Sequence, residues 1–149
     1  MFCDTCNIDA IEYRKINITE EISGYVFKGE IPGFICPKCN NEFYHGSSLA
    51  KFELLTAWSL INTGSLSSET FNHVRQFTGL TKEKLCNLLD ITKEEYSNLE
   101  NGKRQITISI MAILGLIIYD KINSKKIAIS LLESMTKKEK NTIIEISTT

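Results

Sequence analysis

An excess of positive charge is missing from this sequence of 149 residues. Its 17 lysines and arginines are balanced by 18 aspartates and glutamates, which leaves a formal net charge of -1. This balance excludes a histone-like protein that binds nucleic acid through bulk charge alone. Hydrophobic residues make up 42% of the chain and charged residues 23%, so the composition is that of a soluble globular protein.

Long apolar segments and targeting signals are also lacking. The longest stretch without a charged residue runs from Gln105 to Tyr119, whereas a membrane-spanning helix needs roughly 20 apolar residues. The first ten residues, MFCDTCNIDA, contain two acidic residues and two cysteines where a signal peptide would have a basic and then an apolar region. We therefore expect a cytoplasmic protein with no membrane span.

Four of the five cysteines form two Cys-x-x-Cys pairs, and residues 7–35 separate the pairs. An odd number of cysteines fits a disulfide framework poorly in a reducing compartment. Two such pairs can surround one metal ion tetrahedrally, with sulfur ligands at roughly 2.3 Å. Because the protein would fill all four positions, we predict a structural zinc ion and not a catalytic one. The predicted ligands are Cys3, Cys6, Cys36 and Cys39.

Asparagine follows the second cysteine of each pair, as Asn7 and Asn40. The backbone often needs a left-handed conformation there, which asparagine tolerates unusually well. A rubredoxin-like iron centre could use the same cysteines for electron transfer, but it usually has glycine at these positions. A thioredoxin-like redox pair would need its cysteines on a helix after a strand, which Cys3 does not allow.

The first part of the chain predicts a small β-rich unit. Runs of β-branched and aromatic residues at 11–18 and 25–31, with a turn at Ser23-Gly24, predict a hairpin with a further extended piece. Apolar residues at helical spacing from Ser48 to Ile61 predict one amphipathic helix. So small a unit buries little apolar surface, so we expect residues 1–46 to need their metal to fold.

From Ser68 onward the pattern is entirely helical. A first short helix is predicted to stop at Gly79, a second to begin after the N-cap Thr81, and a third to begin at a capping box of Thr92 with Glu95 and to end at Asn101-Gly102. Further helices are predicted from about Thr107 to Ile122 and at 126–134. A second capping box, of Thr136 with Glu139, predicts the start of a last helix. The predicted domains are 1–46 for the finger, 47–65 for a connecting helix and linker, and 66–149 for a helical domain.

Between Gly79 and Gly102 the apolar residues are spaced for two short helices packed across a tight turn, which is typical of a helix-turn-helix. We interpret Cys86 as the small buried residue where those helices approach each other. His45 is surplus to a complete ligand set, and His73 is predicted to be exposed on the polar side of its helix.

Specific residues carry a resemblance to known families. The matched positions are Phe71, Val74-Arg75, Gly79-Leu80-Thr81, Cys86, Leu89, Ile91-Thr92 and Glu100-Asn101-Gly102. On these, residues 71–118 resemble the lambda-repressor-like (XRE) helix-turn-helix family. With the cysteine pairs, residues 1 to about 120 resemble MqsA-like antitoxins, which have a YgiT-type zinc finger. The resemblance implies an N-terminal domain that neutralises a toxin and a dimeric C-terminal domain that represses its own operon.

By position, the resemblance implies a recognition helix from Lys93 to Glu100. The residues predicted to face the DNA groove are Thr92, Lys93, Glu94 and Asn98. The candidates for phosphate contacts are Arg75, Lys82, Lys84, Lys103 and Arg104. Asn98 can read adenine in bidentate fashion, and Glu94 can accept a hydrogen bond from cytosine. Phosphate contacts would supply most of the affinity and its salt dependence.

The helix predicted at 107–122 is apolar nearly all round, so more than one partner must cover it. A second copy of the chain is one such cover, and a symmetric homodimer would suit a palindromic operator. The C-terminal helices could consume the same residues by simple core packing.

The sequence shows no paired catalytic carboxylates, no histidine with an acid and a nucleophile at useful spacing, and no phosphate-binding glycine loop, so we expect no enzyme. We predict an α+β protein, a small zinc-bound β-rich finger followed by an all-α helix-turn-helix domain. Its predicted function is a DNA-binding transcriptional repressor that is the antitoxin of a type II toxin-antitoxin pair. A stand-alone regulator, for instance of a mobile element, is the alternative, and a helix-turn-helix fold used for protein contact is a third.

Overall fold

The computed structural model describes residues 1–8, 12–136 and 145–148. Within these ranges the chain is α+β, with a three-stranded antiparallel sheet of order β1-β2-β3 followed by six helices. The elements are β1 Glu12–Ile22, β2 Tyr25–Ile35, β3 Glu42–Tyr44, α1 Gly46–Asn62, α2 Ser68–Gln76, α3 Lys82–Leu89, α4 Lys93–Glu100, α5 Ile108–Ile122 and α6 Ile127–Thr136. The predicted capping box of Thr136 with Glu139 lies outside the described residues.

The predicted hairpin is confirmed. β1 and β2 pair along their whole length, and β3 pairs with the last three residues of β2. The turn residues Ser23 and Gly24 have φ values of 52° and 80°, the two positive φ values of a type I′ turn, whose twist suits a two-residue hairpin. The middle of one face of the hairpin is apolar and buried, with Ile16 and Ile31 as a cross-strand pair on it.

The helix α1 joins the sheet to the helical part, and the helix predicted at 48–61 is confirmed with slightly wider bounds. On the sheet side, Phe52 packs directly over Gly29, where an added Cβ would lie 2.6 Å from the Phe52 ring. On the helical side, Ala57 and Leu60 are fully buried in the main core. Because α1 contacts both parts, it fixes their relative position.

The main core lies among α1, α2, α4 and α5. The largest fully buried side chains there include Phe71 and Tyr96, whose rings meet edge to face at 5.6 Å. Such a pair adds about 0.5–1.5 kcal/mol to the free energy of burial. Cys86 is buried at the edge of the same core, as predicted.

The predicted helix caps are confirmed wherever the structure describes them. Thr81 accepts a hydrogen bond from the Lys84 N–H, and Thr92 and Glu95 form both bonds of a capping box. Thr107 caps α5 in the same way. These bonds satisfy N–H groups that a helix start leaves free, so the short helices α3 and α4 have fixed beginnings.

The prediction that His73 is exposed is wrong. Its ring lies 5.0 Å from the ring of Phe77, and its Nε2 is buried with no hydrogen-bond partner among the described residues. Burial lowers the pKa of His73, while the nearby Glu53 and Glu69 raise it. The polar side of α2 therefore faces other parts of the protein as well as solvent, because α1 and the hairpin pack beside it.

The tip of the hairpin is docked on the N-terminus of α2. The Ser23 hydroxyl lies 2.8 Å from the Thr70 hydroxyl, and the Ser23 N–H donates to the Glu69 carboxylate at 3.2 Å. Next to these contacts, Ile22 is buried in the main helical core. The sheet thus spans from the cysteine loops at one end to the helical core at the other.

Candidate functional site

Each cysteine pair lies in a loop with the same backbone geometry. The N–H of Asn7 donates to the carbonyl of Cys3, and the N–H of Asn40 donates to the carbonyl of Cys36, both at 2.8 Å. Asn7 and Asn40 have φ values of 57° and 60°. The left-handed conformation predicted for these asparagines is therefore confirmed.

The sheet and a polar contact bring the two loops together. The Cys36 loop connects β2 to β3, and the Cys36 N–H closes it by donating to the Asn41 carbonyl at 3.0 Å. The Asn41 amide also donates to the Thr5 hydroxyl of the first loop at 3.3 Å. The hydrogen bonds within and between the two loops therefore hold the four cysteine side chains near one another.

The four thiol sulfurs of Cys3, Cys6, Cys36 and Cys39 all lie within 4.8 Å of one another. The Cys3 and Cys39 sulfurs are 3.6 Å apart. A tetrahedral site with bonds of roughly 2.3 Å has sulfur-to-sulfur distances of about 3.8 Å. These residues could therefore hold one metal ion, and they would leave no coordination position for water or substrate.

The electrostatics of the cluster also suit a cation. A hydrogen bond with the Cys39 side chain and burial raise the pKa of Cys6 to about 12. Burial raises the pKa of Cys36 as well, but hydrogen bonds from the backbone N–H groups of Cys39 and Lys38 and from neighbouring thiols lower it to about 7 overall. Four thiolates cannot share this space without a positive charge to offset their repulsion.

The second candidate site is the exposed side of α4. Tyr96 and Leu99 on its inner side are fully buried in the main core. At its N-terminal end Thr92, Lys93 and Glu94 are all exposed, and Asn98 is partly exposed. The structure thus brings together the four residues predicted to face the groove, although the hydroxyl of Thr92 is already engaged in capping the helix.

A tight turn of three residues joins α3 to α4. Asp90 adopts the left-handed conformation with φ 54°, and the Ile91 N–H donates to the Cys86 carbonyl at 3.1 Å. The Cys86 thiol is buried beside the Thr92 carbonyl. The small side chain of Cys86 therefore lies where the ends of the two helices come together.

Four of the five candidate phosphate contacts are engaged in ion pairs. Glu100 lies 3.9 Å from Arg75 and 3.6 Å from Lys82, and the Lys82 ammonium also lies 5.1 Å from the centre of the Tyr96 ring. This cluster ties α2, α3 and α4 together. These ion pairs were not predicted, since opposite charges on three different helices leave no spacing signal in the sequence.

The other two pairs involve Lys84 with Glu133 at 2.6 Å and Arg104 with Glu95 at 3.2 Å. The capping bond to Thr92, together with Arg104, lowers the pKa of Glu95, although burial opposes this. Lys93 and Lys103 are exposed and have no ion pair among the described residues. They are the cations of this surface that an incoming phosphate could reach without displacing a carboxylate.

Comparisons of this chain with protein-family models, with curated proteins and with solved structures find no match. Along the described part of the chain, none of the helices has the length and apolar character that crossing a membrane requires.

Proposed function

We propose that this protein is a sequence-specific DNA-binding transcriptional repressor with a helix-turn-helix formed by α3 and α4. The observation that carries the proposal is α4 itself, which Tyr96 and Leu99 anchor in the core while its opposite side and its N-terminal end stay open. A short helix held this way after a tight turn can enter a major groove with its N-terminal residues against the bases.

The chemistry of the exposed side suits base reading. Asn98 offers a donor and an acceptor for adenine, and Glu94 offers acceptors for the cytosine amino group. Lys93 and Lys103 supply phosphate contacts from the two ends of α4. Arg75 and Lys82 are ion-paired and would hold the helices in place instead of contacting phosphate. The set of phosphate contacts is therefore smaller than the five residues predicted from the sequence.

We propose zinc as the metal ion held by the four cysteines. Zinc has no preferred geometry of its own, accepts four thiolates at tetrahedral positions and undergoes no redox change, so it would stabilise the loops and supply no chemistry. In this account Cys3, Cys6, Cys36 and Cys39 fix the end of the hairpin, and the hairpin in turn contacts α1 and α2.

A homodimer is part of the proposal. On α5, Ile108, Leu116 and Tyr119 are exposed by 76%, 54% and 49% and follow one another at helical spacing with Ala112 between them. A second copy packed on this stripe would bury it and would match a palindromic operator. The resemblance to MqsA-like antitoxins supports a toxin as a further partner, and a regulator without a toxin remains the alternative.

Variants of α4 and of the turn that follows it test the DNA-binding proposal. Asn98→Ala should weaken binding to the operator by about 1–3 kcal/mol and relax the base preference at one position, because a bidentate contact is lost. Lys103→Ala should weaken binding to all sequences and reduce the slope of log K against log salt by about 1, because one phosphate contact is lost. Fluorescence anisotropy with labelled duplex measures both.

Lys51→Ala, on the exposed side of α1 and away from α4, is the matched control and should bind as the wild type does. If Asn98→Ala binds with wild-type affinity and selectivity at several salt concentrations, α4 is not the recognition helix.

A helix-turn-helix used for protein contact is a second candidate, favoured by one observation. The first turn of α4 contains Glu94 and Glu95, and most nearby cations are already paired with carboxylates. Under this alternative the purified protein shows no preference for its own upstream DNA, and the α4 substitutions instead weaken binding to a protein partner.

A further inference from the structure

β1 is an edge strand of unusual length. It runs for 11 residues, pairs with β2 on one side, and has no strand on its other side among the described residues. The opposite edge of the hairpin is covered in part, because β3 pairs with the last three residues of β2. An edge of this length exposes a row of backbone donors and acceptors that another strand can use.

The turn fixes which backbone groups are free. A two-residue hairpin closes on a hydrogen-bonded pair, here Ile22 with Tyr25, and bonding to the partner strand then alternates along β1. The residues of β1 whose N–H and C=O groups point away from β2 are Tyr13, Lys15, Asn17, Thr19 and Glu21. Pro32 agrees with this alternation, since it lies opposite Lys15, where no hydrogen bond to β1 is needed.

The charges along β1 are arranged for pairing with an identical strand. Arg14 and Lys15 lie toward one end and Glu20 and Glu21 toward the other. When two copies of β1 pair in antiparallel orientation with Asn17 opposite Asn17, the outward backbone donors of each strand lie opposite the outward acceptors of the other. In this register Arg14 lies opposite Glu20 of the partner subunit, on the same side of the sheet. Neither Glu20 nor Glu21 has an ion pair among the described residues. Arg14 lies 3.4 Å from Glu12 in an exposed ion pair, which the contact with Glu20 of the partner subunit would replace.

We propose that β1 pairs with β1 of a second copy of this chain, which joins the two sheets into one continuous six-stranded sheet. The twofold axis of this pair passes beside Asn17. Residues 15–19 of each strand form the hydrogen bonds to the other strand. At Glu21 the helix α2 lies beside the strand, which limits the ladder at that end. This interface is separate from the α5 stripe and does not depend on DNA binding.

A charge-swap series tests the pairing. Sedimentation velocity across a wide concentration range should show association of protein in which β1 is unchanged. Arg14→Glu and Glu20→Arg should each weaken it about tenfold or more, because like charges then face each other at two symmetric positions. The double variant with both changes should restore association close to the wild-type level, which rules out misfolding as the cause. Lys51→Glu, an exposed charge reversal on α1, should have no effect.

The series is run on Leu116→Glu protein, where association through the α5 stripe is blocked, so failure of the α5 dimer and of β1 pairing are distinguishable. Association that is unchanged by both single variants, or absent at every concentration, overturns the proposal. So does a double variant that stays as weak as the singles.

Amide hydrogen exchange gives an independent reading of the same pairing. The outward amides of Lys15, Asn17 and Thr19 should become protected as the concentration rises, while those of Ile16 and Ile18, already bonded to β2, stay protected throughout. Outward amides that exchange fast at every concentration contradict the pairing. If instead they are protected only by a different protein that co-purifies, the edge binds that protein and the proposal of a second copy is wrong.

Discussion

Replacing Cys36 by serine should release the metal ion and unfold the three-stranded sheet. Cys36 is fully buried, and its sulfur is one of four that meet in the cluster. The sheet has few apolar contacts of its own, whereas structural zinc contributes on the order of 10–16 kcal/mol of binding free energy coupled to folding. We expect the metal content to fall well below one ion per chain. In NMR spectra, the amide resonances of β1 and β2 should move to random-coil chemical shifts.

The fifth cysteine provides the matched control. Cys86 is buried in the helical part and lies outside the cluster, so Cys86→Ala should keep one ion per chain and an intact sheet. Elemental analysis of the same samples identifies the metal, and a red colour in the oxidised protein would indicate iron instead of zinc. A Cys36→Ser protein that keeps its metal and its sheet would contradict the assignment of the ligands.

Phe71→Ala should destabilise the helical part by about 3–5 kcal/mol, the usual cost of removing a fully buried aromatic ring. Phe71 is fully buried and makes the edge-to-face contact with Tyr96, so its loss opens a cavity where α2 meets α4. Because Tyr96 anchors α4, operator binding should fall together with stability. Urea denaturation followed by circular dichroism measures the change in the free energy of unfolding.

The same variant tests how far the two parts of the chain are independent. The cysteine loops lie at the far end of the hairpin from Phe71, so the metal content should stay at one ion per chain in native conditions. Gln76→Ala, at an exposed position of the same helix, should change stability by less than about 0.5 kcal/mol. If Phe71→Ala lowered the free energy of unfolding by less than 1 kcal/mol, the Phe71 ring would not be a main contributor to the stability of this core.

The hairpin provides a physical connection between the four-cysteine cluster and the helices. It starts beside the cysteine loops and ends with Ile22 in the main core and Ser23 bonded to Thr70 and Glu69. Unfolding of the sheet would therefore remove contacts at the beginning of α2. Metal loss should loosen the helical part without melting it, since Ile22 is the one strand residue among the described buried residues of its core, and the others lie in or next to the helices.

Local features of this chain were predictable from sequence. The Ser23-Gly24 turn, the capping box of Thr92 with Glu95 and the left-handed asparagines after each cysteine pair all depend on neighbours within a few residues. The grouping of the four cysteines was predictable for a different reason. Two Cys-x-x-Cys pairs have few ways to satisfy four thiols other than by meeting at one ion.

Features that depend on distant packing were not predictable. Nothing near Glu100 in sequence indicates that Arg75 and Lys82 converge on it from two other helices. The burial of His73 follows from the approach of α1 and the hairpin, which its own helix does not encode. The domain boundaries at 46 and 65 stay predictions, because contacts across them, such as Phe52 with Gly29, do not say how the parts fold alone.

Recognition of a specific DNA sequence by this protein can be measured in one titration. Purified protein is titrated into labelled duplex from upstream of its own reading frame and into a scrambled duplex of the same composition, at several salt concentrations. A repressor should bind the native duplex more tightly, and the logarithm of its affinity should fall linearly with the logarithm of the salt concentration, with a slope of about 0.9 for each phosphate contact. Equal affinity for both duplexes at every salt concentration would contradict sequence-specific recognition.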